Sequence, residues 1–308
     1  MTISEQRAAF AASLRRYDII INSEKSISYG VQWKVSQKQE TATVNTYHGK
    51  KGFRLVIQGA SPKLQQQIEN AFAAVGEKPD ATDIPAEKTA DRGPAHRIIG
   101  CDESGKGDVL GPLVVAAVTL RTPESKEVAA WGVCDSKQLT DEKILVLAER
   151  FLQSFPDASV VTCLMPNQYN ERYAAYRSKH RNLNHLLTDL HFHNIAVLCE
   201  RFPTDQVILD RFAPGRMMEE QFSAHGLAVP LLQVPRGEQF IEVAMASVLA
   251  RSVFVQQMDL LSETYDRILP KGAGRGVAAY ISELADRYGT EVLGNIGKLH
   301  FKTFDSYR

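Results

Sequence analysis

The sequence predicts an α/β protein whose larger part is a mixed sheet covered by helices, preceded by a small α+β unit. Two observations lead to this prediction. From about residue 95 onward, apolar strand-like runs come first in series and then alternate with long helical patterns. Before residue 77, a helical pattern, three β-rich runs and a second helical pattern follow one another in that order.

The first 76 residues carry the pattern of the small unit. The apolar side of its first helix is predicted to comprise Ile3, Ala8, Phe10 and Leu14. The predicted elements are a helix at 3–17, strands at 29–35, 42–47 and 53–58 with HGKKG as the last turn, and a helix opened by Ser61 and Pro62 and closed by Gly76.

The segment 77–94 predicts a connection between two folded parts. It contains three prolines, charges of both signs and almost no large apolar side chain. The sequence therefore divides into an N-terminal unit of residues 1–76, a linker of residues 77–94 and a larger unit of residues 95–308.

The larger unit alternates between the two kinds of element. Its predicted strands are residues 97–101, 113–120, 159–165 and 206–209. Its predicted helices are residues 141–155, with Thr140 as the cap, 183–201 and 239–261.

Composition narrows the class of protein. The 308 residues are 44% hydrophobic and 23% charged, as is usual for water-soluble proteins. No apolar run approaches the roughly 18 residues of a membrane helix, and no secretory signal is recognisable. The four cysteines lie about 30 residues apart without a CxxC pair, which favours a reducing, cytoplasmic setting and disfavours a zinc site.

The net charge of zero conceals an uneven distribution. Residues 1–75 hold 10 Lys/Arg and 5 Asp/Glu, so the rest of the chain carries an equal excess of negative charge. A basic module beside an acidic one is typical of a polyanion binder joined to a metal-dependent enzyme. Chance variation in composition is the alternative.

Residues 100–108, Gly-Cys-Asp-Glu-Ser-Gly-Lys-Gly-Asp, form the most informative motif. Asp102 follows an apolar strand, where a carboxylate is costly unless it is hydrogen-bonded or binds a metal. Adjacent side chains of a strand point to opposite faces, so Asp102 and Glu103 can serve one site only if the backbone bends after Asp102. Gly105 and Gly107 make such a bend feasible and would let a substrate backbone approach the main chain.

A Walker A phosphate loop is one interpretation of this motif. It is disfavoured because Gly107 stands where a Ser or Thr would bind magnesium, and because Gly111 and Pro112 follow where a helix should begin. The acids would also place negative charge beside a phosphate.

A carboxylate cluster for metal-assisted phosphodiester cleavage is the second interpretation. Magnesium prefers oxygen ligands, so further acids are expected at the ends of other elements. Asp210 ends an apolar run, and Glu238 precedes the long helix near its positive end. Glu242, one turn further on, is the alternative to Glu238.

Several motifs follow one another from residue 100 to residue 301. They are the 100–108 motif followed by GPLVVA, Asp135-Ser136-Lys137, ILDRFA at 208–213, ASVLAR at 246–251, LPKGA at 269–273 and KLHF at 298–301. Together they resemble the type 2 ribonucleases H, and more narrowly bacterial ribonuclease HIII. Ribonuclease HII would carry Gly-Arg-Gly in place of Gly105-Lys106-Gly107, and it usually lacks an N-terminal domain.

The resemblance implies an RNase H fold and endonucleolytic hydrolysis of the RNA strand of RNA/DNA hybrids, leaving 5′-phosphate and 3′-hydroxyl ends. It implies two Mg²⁺ or Mn²⁺ ions as cofactors, and a TATA-binding-protein-like substrate-binding domain at residues 1–76. The catalytic and metal-binding acids that it implies are Asp102, Glu103, Asp210 and Glu238.

The resemblance also implies substrate contacts. The backbone of Gly105, Lys106 and Gly107 would read ribose 2′-hydroxyls, which only RNA offers. Ser136 and Lys137 would contact phosphate.

A segment near the C-terminus and a helix carry further candidates. Lys298 and His300 lie among Lys, His and aromatic residues, which indicates either phosphate contact and closure over the hybrid or a solvated tail. A metal site at the His-x-His pair 191 and 193 is disfavoured, because residues two apart point to different sides of a helix. Surface or capping roles are predicted instead for the histidines of this long helical stretch. These histidines are His180, His185, His191 and His193, and an approach of His185 to the active site is the alternative.

Aromatic and basic side chains are interleaved in the N-terminal unit. This pattern indicates nucleic-acid binding, with ordinary sheet packing as the alternative. The residues concerned are Trp33, Tyr47 and Phe53 among Lys34, Lys38, Lys50, Lys51 and Arg54.

The sequence therefore predicts a monomeric, cytoplasmic nuclease that binds RNA/DNA hybrids and uses two divalent ions, with no small-molecule cofactor and no membrane partner. Three alternatives stay open. They are a ribonuclease HII-like enzyme cutting at single ribonucleotides in DNA, a P-loop nucleotide hydrolase and a non-catalytic nucleic-acid-binding protein.

Overall fold

The structure is a computed structural model. It describes residues 3–27, 30–38, 40–49, 52–59, 61–73, 96–134, 136–212 and 216–307. The chain divides into two compact units, residues 1–88 and 89–308, and the division falls within the predicted linker 77–94. That linker lies outside the described residues.

The N-terminal unit is a four-stranded antiparallel sheet with two helices. Its strands lie in sequence order, and each pairs with the next along the chain. The elements are α1 (Ile3–Arg16), β1 (Ile20–Ile27), β2 (Gly30–Gln37), β3 (Glu40–Gly49), β4 (Gly52–Gln58) and α2 (Pro62–Ala73). The predicted turn residues Lys50 and Lys51 and the predicted helix end Gly76 lie outside the described residues.

Strand β1 is the element of this unit that the sequence prediction missed. Most of its side chains are exposed, and the run NSEKS within it is polar. It lies at the edge of the sheet, where it pairs with a single strand and most of its side chains meet solvent. The alternation of apolar and polar residues that marks a strand is therefore missing.

The core of this unit lies between α1, α2 and one face of the sheet. Phe10 and Leu14 are fully buried as predicted, whereas Ala8 is exposed. Trp33 is only 2% exposed, its ring meets Phe10 edge-on at 5.9 Å, and its Nε1 donates to Thr46 at 3.1 Å. Trp33 is therefore a core residue, and its predicted place on a nucleic-acid-binding face is wrong.

The larger unit is a five-stranded mixed sheet with helices. Its strand order is β7-β6-β5-β8-β9, where β7, β6 and β5 pair antiparallel and β5, β8 and β9 pair parallel. The strands are β5 (Arg97–Ser104), β6 (Leu113–Arg121), β7 (Ser159–Leu164), β8 (Gln206–Asp210) and β9 (Leu231–Val234). The helices are α3 (Thr122–Ala130), α4 (Asp141–Ser154), α5 (Pro166–Ser178), α6 (Leu183–Arg201), α7 (Met217–Ala224), α8 (Ile241–Thr264), α9 (Arg275–Tyr288) and α10 (Leu293–Ile296).

The predicted α/β class is confirmed, and all four predicted strands and three predicted helices of this unit are present. The hydroxyl of Thr140 accepts from the backbone of Lys143 at 3.3 Å, so it caps α4 as expected. Among the described residues, no helix is both long and apolar enough to span a bilayer.

Helix α8 packs directly on the centre of the sheet. A Cβ atom on Gly100 of β5 would lie 2.2 Å from the carbonyl carbon of Glu242, so only glycine permits this approach. Further along, Phe254 of α8 lies against Gly105, which shows that α8 follows β5 in the same direction. The end of β5 that carries the acids is therefore covered by the middle of α8.

Candidate active site

Strand β5 carries the first two acids and stays regular through both of them. Its pairing with β6 continues to Ser104, opposite Val114, so the backbone does not bend between the two acids. The backbone turns only at Gly105, where φ is +85°. Within the strand Asp102 therefore faces α8 and Glu103 faces α6, and a site shared by both acids has to form at the end of the strand, where the chain turns at Gly105.

Asp102 is held by two donors. Its Oδ1 accepts from the backbone N–H of Glu103 at 2.8 Å, and the Ser247 side chain on α8 hydrogen-bonds the same carboxylate. The hydroxyl of Ser247 lies 2.8 Å from that of Ser136. Burial, reinforced by the charge of Glu103, raises the pKa of Asp102 to about 7.

Asp210 joins this pair from the neighbouring parallel strand. Cys101 of β5 lies opposite Leu209 of β8, so the next residue of each strand, Asp102 and Asp210, comes at the same edge of the sheet. The charge of Asp210 contributes to the raised pKa of Asp102. Asp210 Oδ1 accepts from the backbone N–H of Gly237 at 3.1 Å. The structure thus brings Asp210 to the residue that precedes Glu238.

Glu238 and its alternative Glu242 have different surroundings. Both line a cavity of about 680 Å³ beside the start of α8, and Glu238 is half-buried. Glu242 is 4% exposed, and its Oε1 accepts from Ser125 of α3 at 2.6 Å. Glu238 follows the residue that contacts Asp210, whereas Glu242 is engaged at α3. Glu238 therefore stays the predicted fourth acid.

Glu103 accepts a hydrogen bond on each carboxylate oxygen. Lys106 Nζ lies 3.2 Å from Oε1, and His191 Nε2 lies 3.2 Å from Oε2. Burial by itself would raise the pKa of Glu103, but His191 and Lys106 outweigh it and hold that pKa below its ordinary value. Glu103 is therefore ionised in this site at neutral pH.

His191 is the site residue that sequence reasoning missed. It is 0% exposed, so the predicted surface or capping role is wrong for it. The helical spacing carries the signal, since His191 lies four residues from each of the buried residues Leu187 and Ile195. His185 does cap α6, because it lies three residues after the cap residue Asn182 and its Nδ1 accepts from the backbone N–H of Asn182 at 3.2 Å.

The Gly-Lys-Gly turn presents an open backbone. A Cβ on Gly105 would lie 2.1 Å from the carbonyl oxygen of Pro112, whereas a Cβ on Gly107 would meet nothing within 4 Å. Lys106 Nζ also donates to the carbonyl of Phe212 at 3.2 Å. The turn is thus fixed from within at Gly105 and Lys106, and accessible at Gly107.

The predicted phosphate-contacting residues lie in different settings. Ser136 is half-buried beside Ser247, and Lys137 is exposed in the same short 3₁₀ turn. Their predicted neighbour Asp135, and Ala213 of the 208–213 motif, lie outside the described residues.

Lys298 serves the protein interior. It is 0% exposed, and its Nζ lies 2.9 Å from the carbonyl oxygen of Asp108 and 2.6 Å from that of Gly111. Burial lowers the pKa of Lys298 to about 7, although nearby Asp108 acts in the opposite direction. The structure therefore supports neither interpretation from the sequence, since this lysine is neither in a solvated tail nor open to phosphate.

His300 packs in an aromatic cluster. Its Nδ1 lies 3.1 Å from the hydroxyl of Tyr169, and its ring centroid lies 5.1 Å from that of Tyr173. The side chain is half-buried. A substrate contact by His300 stays a prediction.

The donors at this site suit a hard divalent cation. Within the part of the chain that the structure describes, no three His, Cys, Asp or Glu side chains form a ready group for a metal ion. The chemistry of the donors nevertheless fits, because the half-buried Asp102 lies close enough to Glu103 and Asp210 for their charges to raise its pKa. Carboxylates crowded in this way are stabilised by a cation with a preference for oxygen ligands.

Comparison with known proteins identifies the family. Residues 99–304 match the family model described as Ribonuclease HII. The chain belongs to the type 2 ribonuclease H family. As a type 2 ribonuclease H it is an enzyme, and the strand β6 that follows Gly111 and Pro112 excludes the helix that a Walker A loop requires.

The relatives of this type 2 ribonuclease H carry the name ribonuclease HIII. Ribonuclease HIII of Chlamydia pneumoniae is 43% identical over 211 residues, which are 67% of this chain and 68% of the relative. Ribonuclease HIII of Protochlamydia amoebophila is 36% identical over 208 residues, which are 68% and 67% of the two chains. The resemblance predicted from the motifs is therefore confirmed.

Solved structures match this type 2 ribonuclease H over different shares of its length. The crystal structure of Bst-RNase HIII in complex with Mn²⁺ matches with a TM-score of 0.63 and 25% identity, and the match covers 98% of this chain and 95% of that chain. The ribonuclease H2 of Pyrococcus horikoshii has a similar fold, with a TM-score of 0.58 and 20% identity. That match covers 68% of this chain and 96% of the other.

Proposed function

We propose that this ribonuclease H hydrolyses the RNA strand of RNA/DNA hybrids at the edge of the sheet where β5 and β8 end, leaving 5′-phosphate and 3′-hydroxyl ends. One observation carries the proposal. Asp102 and Asp210 end adjacent parallel strands, with Glu103 next to Asp102, in a chain of the type 2 ribonuclease H family.

Four acids would hold two Mg²⁺ or Mn²⁺ ions at this edge: Asp102, Glu103, Asp210 and Glu238. When bound, such ions activate a water molecule for attack on phosphorus and stabilise the departing 3′-oxygen. The chain itself orients the acids. Ser247 and the backbone N–H of Glu103 hold Asp102, while Gly237 holds Asp210.

The Gly-Lys-Gly turn supplies the proposed contact with RNA. The open surface at Gly107 supports close approach of a ribose, whose 2′-hydroxyl distinguishes RNA from DNA. Lys106 is held between Glu103 and the carbonyl of Phe212, so its backbone has a defined place for this contact. Ser136 and Lys137 are proposed to contact phosphate on the same strand.

The N-terminal unit is proposed as a second hybrid-binding surface. Its sheet has one face covered by helices, and the other face carries the exposed side chains of Lys25 and Lys34 on neighbouring strands. Lysines on a flat sheet suit a phosphate backbone. The protein is proposed to act as a monomer.

A cleavage assay tests this function. A labelled uniform RNA/DNA hybrid and a duplex with a single ribonucleotide are each incubated with Mg²⁺, Mn²⁺ or EDTA. We expect metal-dependent cutting of the uniform hybrid, no cutting by Asp102→Asn, and wild-type cutting by the exposed control Asp157→Asn. Wild-type cutting by Asp102→Asn would refute the assignment, and cutting of the single-ribonucleotide duplex alone would favour a ribonuclease HII-like specificity.

A further inference from the structure

We propose that His191 is a positioning residue that fixes the Glu103 carboxylate for divalent-ion binding and sets its place relative to Asp210. This inference rests on the function proposed above. The proposed function assigns roles to the four acids but does not explain why α6 places a buried histidine against one of them.

The position of His191 is fixed by the helix that carries it. One turn further along α6, Asn194 donates to the carbonyl of Val115 at 3.0 Å and accepts from the hydroxyl of Thr162 at 2.6 Å. These two bonds attach α6 to strands β6 and β7. The imidazole of His191, which is 0% exposed, therefore has little freedom to move away from Glu103.

The imidazole contacts a residue of one acid-bearing strand and a residue just after the end of the other. On one side its Nε2 is 3.2 Å from Oε2 of Glu103, on β5. On the other side its ring stacks on Phe212, two residues after Asp210, with centroids 5.0 Å apart and planes at 18°. Lys106 links the same two residues, since its Nζ donates to both Glu103 and the carbonyl of Phe212.

The polar character of His191 is directed at Glu103 alone. An ionised carboxylate only accepts hydrogen bonds, so Nε2 must be the donor in this pair. Its Nδ1 is buried without a hydrogen-bond partner among the residues that the structure describes. A buried polar atom without a partner costs about 1–3 kcal/mol, so packing alone would favour an apolar side chain here.

The bond to His191 leaves Glu103 able to bind a cation. Each carboxylate oxygen offers two lone-pair positions, and the donors His191 and Lys106 occupy one on each oxygen. Loss of a residue that orients a metal ligand in this way typically lowers metal affinity by about 10- to 100-fold.

Two amide variants of the full-length protein separate positioning from packing. His191→Gln keeps an N–H donor at the reach of Nε2, whereas His191→Asn is one methylene shorter and loses contact with Glu103. Mn²⁺ binding without substrate is measured by electron paramagnetic resonance of the free ion. We expect His191→Asn to raise the Mn²⁺ Kd roughly 10-fold or more and His191→Gln to stay within about threefold of wild type.

Activity provides a second readout. We expect His191→Asn to lower kcat on the hybrid with little change in KM, and added Mn²⁺ to restore part of the loss. His193→Asn is the matched control, because His193 is exposed on the same helix. It should bind Mn²⁺ and cut the hybrid as wild type does.

Three outcomes decide the inference. Equal Mn²⁺ affinity of folded His191→Asn, His191→Gln and wild type would overturn it. His191→Leu, which also lacks the donor but suits the buried site, replaces His191→Asn if the latter does not fold, and failure of both to fold would overturn the positioning role. A wild-type protein whose Mn²⁺ binding is absent, or unaffected by Asp102→Asn, would instead refute the proposed function.

Discussion

The hydroxyl oxygens of Ser136 and Ser247 lie 2.8 Å apart, and Ser247 also hydrogen-bonds the carboxylate of Asp102. Ser136 is a proposed phosphate contact, and Asp102 is a proposed catalytic acid. A single side chain of α8 thus lies between a group that meets the substrate and a group that meets the metal. A movement of Ser136 on substrate binding would therefore change the hydrogen bonding of Asp102.

Replacing Ser247 by alanine removes this link. A hydrogen bond to a charged group contributes about 1.5–3 kcal/mol, so we expect kcat to fall about 10-fold or more, with little effect on hybrid affinity. Steady-state cleavage of the labelled hybrid measures both parameters. Ser252→Ala is the control, because Ser252 is buried on the same helix and donates to the carbonyl of Leu249 within that helix. Equal activities of the two variants would contradict the prediction.

The raised pKa of Asp102 makes the stability of the metal-free protein depend on pH. An aspartate titrates near 3.8 when unfolded, whereas Asp102 titrates at about 7 in the fold. Between these values the folded state holds the extra proton, so the free energy of unfolding falls as the pH rises through this interval.

Asp102→Asn removes that dependence. We expect it to stabilise the metal-free protein at pH 8 by up to about 4 kcal/mol relative to wild type, and to have little effect near pH 4. Urea denaturation in EDTA at both pH values measures the difference, with Asp157→Asn as the exposed control. A wild-type protein with the same pH dependence as Asp102→Asn would show that Asp102 titrates normally.

Alanine at each of the two glycines of the Gly-Lys-Gly turn is expected to cause a different defect. Gly105→Ala places a methyl group 2.1 Å from the Pro112 carbonyl oxygen at a φ of +85°, so we expect a loss of stability of about 2 kcal/mol or more. Gly107→Ala meets nothing within 4 Å, so we expect normal stability and a raised KM for the hybrid. Thermal unfolding and steady-state kinetics distinguish them. An unchanged KM for Gly107→Ala would remove this residue from the proposed RNA contact.

Lys25 and Lys34 are expected to contribute to the salt dependence of hybrid binding. Lys25 pairs with Gln32 and Lys34 pairs with Ser23, so the two lysines are diagonal neighbours on one face of the sheet. We expect Lys25→Gln with Lys34→Gln to weaken binding and to reduce the slope of log Kd against log salt by about 2. Fluorescence anisotropy at several salt concentrations measures this slope. Arg15→Gln with Arg16→Gln, at exposed sites on α1, should leave it unchanged.

The strongly patterned elements of the fold could be predicted from the sequence. The buried strand β6 and the long helix α6 were expected nearly at their observed bounds, because β6 is an almost continuous apolar run and the apolar residues of α6 recur at helical spacing. Strand β1 and helix α5 were not, because β1 is an exposed edge strand and α5, PNQYNERYAAYRS, is mostly polar. Their places are set by neighbours that are distant in the sequence.

The site divides in the same way. Asp102, Glu103 and Asp210 could be found because each acid interrupts or ends an apolar run. His191 could not, since its partner Glu103 lies 88 positions away in the sequence. The buried position of Lys298 could not be predicted either. The Lys, His and aromatic residues around it indicate solvent or phosphate contact, whereas its carbonyl partners lie 187 or more positions away in the sequence.

Asp102 and Asp210 meet only because β8 docks alongside β5, more than a hundred residues after it in the chain. Contacts between such distant segments form late, since the entropy of closing a long loop must first be overcome. A partly folded molecule with β8 undocked therefore has an incomplete set of acids. We expect nuclease activity to appear only when folding of the larger unit is finished.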